Sequence, residues 1–312
     1  MNWRAVGQAR FALGESPFWH PQDRALYGVD IAGHSIWRIS SAGLADVWTT
    51  PSQLGEPACL APVRGGGLVV GMRSGIYRVA QWRGDFERLA PAPYDTAVLR
   101  FNDGKADPQG RFWASTYSED KRPNACLYAL DARDGSAPVL TPAATALPQG
   151  ATGGNGLAWS PDGTTLYWAD TAAHVVRAWD WDGHFNTLQN GRVFHQFDAK
   201  PADWAYGQPG FDTYQGRPDG AAVDAQGNYW VAMYEGGCVK KLSPAGELLE
   251  TWPTPALCPT MPCFGGDDLQ TLFVTTASKG RSVQELADLP WSGQVLSMRV
   301  AVPGFPVNFF AA

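Results

Sequence analysis

A turn followed by a short aromatic or β-branched strand recurs six times along this chain of 312 residues. Two of the copies read Asp107-Pro-Gln-Gly-Arg-Phe-Trp113 and Asp224-Ala-Gln-Gly-Asn-Tyr-Trp230, and each copy is followed by a second strand of alternating character. The strands are anchored on residues that lie 42, 44, 54, 63 and 43 positions apart: Tyr27, Val69, Trp113, Tyr167, Trp230 and Phe273. A unit of about 40–50 residues, rich in short strands and turns, is typical of a four-stranded propeller blade.

Six such units fill the chain, so the sequence predicts an all-β fold, a six-bladed β-propeller with four-stranded blades around a central channel. Residues 1–312 then form a single propeller domain. A β-sandwich is the competing architecture, but it does not predict six similar units. Closing the ring also removes exposed sheet edges. We expect a strand near residues 5–13 to complete the last blade, loop insertions at 141–154 and 183–217, and a short helix within 282–289.

The charge and hydropathy of the chain exclude several classes of function. With 24 Lys and Arg against 30 Asp and Glu, the net charge is −6, and there is no basic run of the kind that binds nucleic acid. No stretch approaches 18 consecutive apolar residues, so we expect no membrane span. The N-terminus lacks the apolar core of a signal peptide, so we expect a cytoplasmic protein, and we expect it to be a monomer.

Cysteines and histidines are too scattered to predict a thiolate or imidazole metal site. The five cysteines are odd in number, widely spaced and without a Cys-x-x-Cys pair, which indicates free thiols in a reducing compartment. The five histidines occur singly and are interpreted as surface or turn residues: His20, His34, His174, His184 and His195. Nucleophile-elbow, HExxH, P-loop and dinucleotide-binding motifs are absent from the sequence.

Four polar segments stand immediately before turn–strand units of the repeat. They are Leu13-Gly14-Glu15-Ser16-Pro17, Arg100-Phe101-Asn102-Asp103-Gly104-Lys105, Gly153-Gly154-Asn155-Gly156-Leu157 and Arg217-Pro218-Asp219-Gly220-Ala221. Any one carboxylate or amide beside Gly or Pro is explained as a turn former. Polar residues at matched positions of separate repeats instead indicate a functional site on the propeller axis.

These segments resemble the senescence-marker-protein-30/gluconolactonase/regucalcin family of six-bladed propeller lactonases, over nearly the whole chain. The most specific stretches are Arg100-Phe-Asn-Asp-Gly-Lys105, Asn155-Gly-Leu-Ala-Trp-Ser-Pro-Asp-Gly163 and Pro218-Asp-Gly220. The resemblance implies one divalent cation and hydrolysis of sugar-acid lactones, such as glucono-, xylono-, arabinono- or galactonolactone, to the aldonic acid. The residues it implies are Glu15, Asn155 and Asp219 as metal ligands, and Arg100, Asn102 and Asp120 as substrate contacts.

The chemistry of the implied ligand set agrees with this interpretation. Two carboxylates and an amide oxygen form a hard oxygen set that suits Ca²⁺, Mg²⁺ or Mn²⁺. The identity of the cation stays open, and Zn²⁺ and Fe²⁺ are included. A carboxylate beside the cation, assigned to Asp219, would be the catalytic base that takes a proton from the attacking water.

Two other functions remain open. One is a propeller phosphotriesterase or a hydrolase of other lactones, and the other is a calcium-binding scaffold without enzymatic activity. The Arg100-x-Asn102 pair favours the sugar lactone, and three converging oxygen ligands argue against a scaffold. The sequence leaves Asp103, Glu119 and Asp170 open between functional and loop-holding roles. Selectivity for one lactone is assigned to the loops around 141–154 and 200–217.

Overall fold

Six four-stranded antiparallel sheets make up the protein in a computed structural model that describes residues 2–135, 137–143 and 150–312. The predicted six-bladed propeller is therefore confirmed. Blade 1 contains β2 (Gly14–His20), β3 (Ala25–Asp30), β4 (Ser35–Ser40) and β5 (Ala45–Thr49). Blade 2 contains β6 (Pro57–Pro62), β7 (Leu68–Met72), β8 (Gly75–Val79) and β9 (Phe86–Pro91). Blade 3 contains β10 (Leu99–Ala106), β11 (Phe112–Ser118), β12 (Leu127–Asp131) and β13 (Val139–Pro142).

The second half of the chain repeats this order. Blade 4 contains β14 (Gly154–Trp159), β15 (Thr165–Asp170), β16 (Val175–Asp182) and β17 (Thr187–Gln196). Blade 5 contains β18 (Arg217–Val223), β19 (Tyr229–Tyr234), β20 (Cys238–Leu242) and β21 (Leu248–Pro253). Blade 6 contains β22 (Pro259–Gly265), β23 (Thr271–Thr276), β24 (Leu296–Arg299) and, as its outermost strand, β1 (Arg4–Ala5).

The first strand of the chain closes the ring by pairing with the last, as predicted, but it is shorter than expected. Arg4 pairs with Ser297 and Ala5 with Leu296. After these residues the left-handed backbone of Gly7, with φ of 71°, interrupts the extended strand, a conformation that glycine adopts without steric cost. Residues 6–13 therefore follow blade 6 through separate hydrogen bonds, such as Val6 N to Val295 O at 2.8 Å, and not as a continuous ladder.

A buried aspartate at the turn before the second strand explains the clearest copies of the repeat. Asp224 Oδ1 accepts hydrogen bonds from the backbone N–H groups of Gln226 and Asn228, and its Oδ2 accepts one from Trp230 Nε1 at 2.9 Å. Asp107 accepts the corresponding bonds in blade 3, including one from Trp113 Nε1 at 2.8 Å. The turn thus fixes the indole that fills the space between blades.

The predicted anchor residues all lie in the second strands of their blades, and all are buried. Apolar clusters join neighbouring blades: one of them combines Trp19 and Leu26 of blade 1 with Cys263 and Phe273 of blade 6. Burial of apolar area contributes about 25 cal/mol per Å² to the folded state, so contacts between blades hold the ring together.

The remaining expectations about the fold can be placed on these blades. A turn-and-a-half helix, α1 (Val283–Asp288), lies within the predicted 282–289, and Ser282 caps it by accepting a hydrogen bond from Glu285 N at 3.1 Å. The expected insertion at 183–217 is confirmed only in its second part, the connection 197–216 between blades 4 and 5, because β17 occupies 187–196. Of the insertion expected at 141–154, residues 144–149 lie outside the described residues.

The five cysteines are free, as predicted, and four of them are buried. The interpretation of the histidines as surface or turn residues is wrong in part. His20 is buried in a strand, beside Phe18 and Tyr27. His174 lies in a turn, as predicted, but it is buried by its contact with Tyr214 of the 197–216 connection. Among the described residues, none of the helices has the length and apolar character that a membrane crossing needs.

We predict that Asp224→Ala lowers the free energy of unfolding by about 3–5 kcal/mol, because it leaves three buried donors and one partly buried donor without an acceptor. Asp162→Ala, at the exposed turn of blade 4, should cost about 1 kcal/mol or less. Urea unfolding of both variants measures the difference. Equal losses would mean that the buried turn does not stabilise the blade.

Candidate functional site

The innermost strand of each blade carries a β-bulge at the same place. In β2 the register with the neighbouring strand shifts between Glu15 and Phe18, and β10, β14 and β18 shift at the equivalent positions. A bulge releases residues from the ladder and re-aims their side chains. Each bulge contains one of the four predicted polar residues or begins at it: Glu15, Asn102, Asn155 and Asp219. Blades 2 and 6 have the same bulge but carry Ala58 and Thr260 there.

The four polar residues meet in one axial cavity of about 440 Å³, as the matched repeat positions predicted. Their exposed fractions are only 4–7%. Arg100 also lines the cavity, with 11% of its side chain exposed. The rest of the wall comes from the ends of strands and from loops of blades 1, 3, 4 and 5: Leu13, Tyr117, Lys121, Thr152, Thr171, Ala172, His174, Arg217 and Tyr234.

A chain of hydrogen bonds orients the side chains of the cavity. Arg100 Nη1 donates to Asn102 Oδ1 at 2.7 Å, Asn102 Nδ2 donates to Asn155 Oδ1 at 2.8 Å, and Asn155 Nδ2 donates to Thr171 Oγ1 at 2.7 Å. Asn102 Nδ2 also donates to Gly154 O at 2.9 Å. Both N–H donors of Asn102 are therefore used inside the protein, and it can offer a ligand only carbonyl lone pairs.

Glu15 and Asp219 bring two carboxylates into this buried space. Burial first, and then the charges of Asp219 and Asp103, raise the pKa of Glu15 well above its usual range. Burial and Asp103 raise the pKa of Asp219 to about 8, although Arg217 and Arg100 act in the opposite direction. Both shifts show that the site favours added positive charge, whether a proton or a cation.

The donor set fits a divalent cation. Glu15 accepts one long backbone hydrogen bond, from Ser16 N at 3.3 Å, so carboxylate lone pairs remain for a ligand. The Asn155 amide oxygen adds a third hard donor in the same cavity. The described residues contain no group of three His, Cys, Asp or Glu side chains able to hold a metal. A cation here would therefore depend on the amide oxygen as well as on the two carboxylates.

Asp103 lies beneath the cavity and joins two blades. Its Oδ2 accepts a hydrogen bond from Leu157 N at 2.8 Å, while its Oδ1 has no partner among the described residues. Burial raises the pKa of Asp103 even though Lys105 lowers it. Lys105 in turn donates a hydrogen bond to Ala221 O. Asp103 thus connects blades 3 and 4 and adds negative charge behind Glu15 and Asp219.

The other two undecided acids hold loops and ion pairs. Asp170 accepts hydrogen bonds from the N–H groups of Gly153 and Thr152 at 3.2 and 3.3 Å, which fixes the entrance of blade 4. Glu119 pairs with Arg73 at 2.8 Å and lies 4.0 Å from Arg100 Nε. Neither acid lines the cavity.

Asp120, the expected acidic substrate contact, also lies outside the cavity lining. It accepts hydrogen bonds from Ser118 Oγ at 2.6 Å and from Arg122 N at 3.2 Å, both within its own turn. The next residue in the chain, Lys121, does line the cavity. The structure therefore places Asp120 as a residue that shapes the turn.

The sequence interpretation missed several residues of the cavity rim. His174 Nε2 forms a 2.7 Å hydrogen bond with Tyr214 Oη, and burial lowers the pKa of His174, which favours the neutral imidazole. Arg217, two residues before Asp219, was not predicted to have a role; it forms an ion pair with Glu235 at 2.8 Å. Tyr117 and Tyr234 lie under guanidinium groups of Arg100 and Arg217 at 4.8 and 5.0 Å. Arg217 and Tyr234 are cross-strand neighbours in blade 5, at the positions that Arg100 and Tyr117 occupy in blade 3. The repeat therefore carried a signal for this pair that the sequence interpretation did not use.

Comparisons with known proteins agree with this architecture. The family described as SMP-30/Gluconolactonase/LRE-like region matches residues 13–278. A 6-deoxy-6-sulfogluconolactonase of Pseudomonas putida is 38% identical over 303 residues, covering 96% of this chain and 95% of that protein. Regucalcin of Gallus gallus is 31% identical over 312 residues, covering 98% and 97%. A solved structure of a calcium-binding regucalcin from Agrobacterium tumefaciens shares the fold, with a TM-score of 0.85, 21% identity and coverage of 99% and 97%.

We predict that Gly156→Ala lowers the free energy of unfolding more than an equally strained alanine elsewhere. Gly156 has φ of 60°, and a Cβ there would lie 2.3 Å from Tyr229 Oη and 3.1 Å from Asp219 O. Gly163→Ala has a similar φ of 67° but meets nothing within 4 Å, so it carries only the backbone cost of about 1–2 kcal/mol. The clash should add about 1–3 kcal/mol in Gly156→Ala, measured by urea unfolding. Matching losses in the two variants would refute the packing argument.

Proposed function

The chain belongs to the SMP-30/gluconolactonase/LRE-like family, and from that membership we propose that it hydrolyses a sugar-acid lactone to the aldonic acid, with the help of a divalent cation. The observation that carries the proposal is the pair of buried carboxylates, Glu15 and Asp219, that share one axial cavity with the Asn155 amide. The Pseudomonas putida relative, named as a lactonase of a gluconolactone, supports an aldonolactone as the substrate class.

Glu15, Asn155 and Asp219 would hold the cation, which supplies positive charge to the lactone carbonyl oxygen as that oxygen becomes negative. All three residues offer oxygen, which suits Ca²⁺, Mg²⁺ and Mn²⁺. Zn²⁺ and Fe²⁺ are also candidates and should be included when metals are added back to the metal-free protein. Asn102 supports this arrangement, because its N–H group fixes the Asn155 amide from behind.

Asp219 would act as the general base. Its carboxylate accepts a proton from water while the water oxygen forms a bond with the carbonyl carbon. The bond between that carbon and the ring oxygen then breaks, and the proton passes to the ring oxygen, which becomes a hydroxyl. Without a cation, burial and Asp103 raise the pKa of Asp219 to about 8, so the ionised form that this step requires would depend on the positive charge of a bound cation. Arg217 and Arg100 act in the same direction as the cation.

Arg100 would orient the sugar. Its guanidinium has five N–H donors, and one nitrogen is engaged with Phe101 O and Asn102 Oδ1 at 2.9 and 2.7 Å. Nε faces Glu56 and Glu119 at 3.9 and 4.0 Å, so Nη2 is the group that would reach hydroxyl groups of a bound lactone. Holding the ring against the attacking water converts an encounter into a reaction within one complex.

We predict that aldonolactones release acid in a pH-indicator assay, that a chelator abolishes this activity, and that Ca²⁺, Mg²⁺ or Mn²⁺ restores it to different extents. The panel should contain glucono-, xylono-, arabinono- and galactonolactone together with a phosphotriester. Hydrolysis of the phosphotriester alone would favour the alternative hydrolase. Full activity in a sample verified to be free of metal would remove the cation from the mechanism.

We predict that Asp219→Asn retains part of the cation but lowers kcat by about 10²–10⁴-fold, because the amide keeps a ligand oxygen and loses the base. Metal content must be determined on the sample used for kinetics. Asp162→Asn, the same chemical change at an exposed turn, is the matched control and should leave kcat unchanged. Near-normal turnover of Asp219→Asn at full metal occupancy would leave the general base unassigned.

A further inference from the structure

Basic side chains line a cavity in a protein whose net charge is −6. The three are Arg100, Lys121 and Arg217. Two of them have carboxylate neighbours, since Arg217 pairs with Glu235 at 2.8 Å and Arg100 lies 3.9 Å from Glu56. Lys121 has no carboxylate within 4 Å in the part of the chain that the structure describes. Its positive charge is the one at this cavity that no protein carboxylate balances.

The turn before β12 directs Lys121 towards the cavity. Lys121 has a left-handed backbone with φ of 62°, a conformation that is uncommon for residues with a side chain. Lys121 N donates to Ser118 O at 3.3 Å, and Asp120 holds Ser118 Oγ at 2.6 Å. Within this turn only Lys121 joins the cavity lining, while the side chain of Arg122 is 78% exposed.

Tyr117 supports the ammonium group without neutralising it. Lys121 Nζ lies 4.4 Å from the centroid of the Tyr117 ring and donates a hydrogen bond to Tyr117 Oη. An ammonium group has three N–H donors, so two remain for a ligand. The same ring carries Arg100 at 4.8 Å, and thus two cations share one aromatic support beside the cavity.

The depth of these groups determines which part of a ligand they meet. Glu15, Asn155 and Asp219 are buried, whereas Lys121 is exposed at the rim. A lactone whose carbonyl reaches the buried end would present the opposite end of its carbon chain to the rim. An unbalanced cation there favours a negative substituent and rewards it through a charge-assisted hydrogen bond.

We propose that the substrate is an aldonolactone with an anionic substituent at the end remote from the carbonyl, and that Lys121 binds this substituent. The inference rests on the lactonase function proposed above. Sulfonate, phosphate and carboxylate share the chemistry that an ammonium recognises. Arg217, also on the cavity wall, adds to the positive field although Glu235 balances its own charge.

The test compares lactones that differ only at the remote carbon: glucono-1,5-lactone and its 6-phospho, 6-deoxy-6-sulfo and 6-carboxylate analogues. We predict that the protein prefers one of the anionic lactones in kcat/KM. Lys121→Met should raise KM for that lactone about 10–100-fold, with kcat little changed and the neutral lactone affected less than about twofold. Lys121→Arg should retain most of the preference. Among the three anionic lactones, the highest kcat/KM identifies the substituent.

Arg122→Met is the matched control. It removes the same positive charge from the next residue in the chain, whose side chain does not line the cavity. Arg122→Met should leave kcat/KM unchanged for the neutral lactone and for the anionic lactones. Equal losses for neutral and anionic lactones in Lys121→Met would show a structural role, and a preference of the unaltered protein for the neutral lactone would refute an anionic substrate. Either result overturns the inference.

Calorimetry with the open-chain acids separates this inference from the lactonase proposal. The unaltered protein should bind 6-phosphogluconate or 6-deoxy-6-sulfogluconate more tightly than gluconate, and Lys121→Met should lose that difference. This result would support the anion site even if no lactone were hydrolysed. Absence of lactone hydrolysis would count against the proposed function but not against the anion site. Equal binding of gluconate and both anionic acids would overturn the anion site.

Discussion

The β-bulge of the innermost strands is the feature on which both the ring and the site depend. It frees consecutive residues from the ladder, so one side chain can face the axis while the next reaches the neighbouring blade. Ser16 Oγ accepts a hydrogen bond from Leu60 N at 3.1 Å, and Asp103 Oδ2 accepts one from Leu157 N. In blade 6, Thr260 Oγ1 donates to Gly14 O. The same irregularity therefore exposes the polar residues of the cavity and joins the blades that carry them.

The sequence predicted those parts of the molecule in which chemistry is local and repeated. Asp224 and Trp230 are six residues apart and bond within one turn, so their pattern is visible without the fold. Glu15, Asn102, Asn155 and Asp219 were found because the bulge keeps their positions matched between blades. The burial of His174 could not be predicted in this way, because it depends on Tyr214 in a connection that belongs to one blade only. The short length of β1 could not be predicted from the sequence either, because it follows from the left-handed backbone at Gly7.

Several residues other than glycine have a left-handed backbone conformation. Some of them lie in hairpin turns, and one lies in a bulge of the candidate site. His34 and His174 occupy the same hairpin position in blades 1 and 4, with φ of 50° and 55°, so that conformation is a feature of the turn. Ser16, with φ of 50°, lies instead in the bulge beside Glu15, where blade 4 has Gly156 with φ of 60°. A side chain in this region costs on the order of 1–3 kcal/mol. The bond from Leu60 N to Ser16 Oγ offsets part of that cost, which a glycine could not do.

Charge is layered along the cavity, and the layering follows from burial. Burial raises the pKa values of Glu15, Asp103 and Asp219, and the charge of Asp103 raises those of the other two further. At the exposed rim Lys121 adds charge of the opposite sign. Solvent screens a rim charge more than a buried one, so the buried end sets which chemistry is possible, while the rim sets the orientation in which a polar ligand enters. A neutral ligand would respond only to the charges of the buried end, whereas an anionic ligand would also be aligned by the positive charge at the rim.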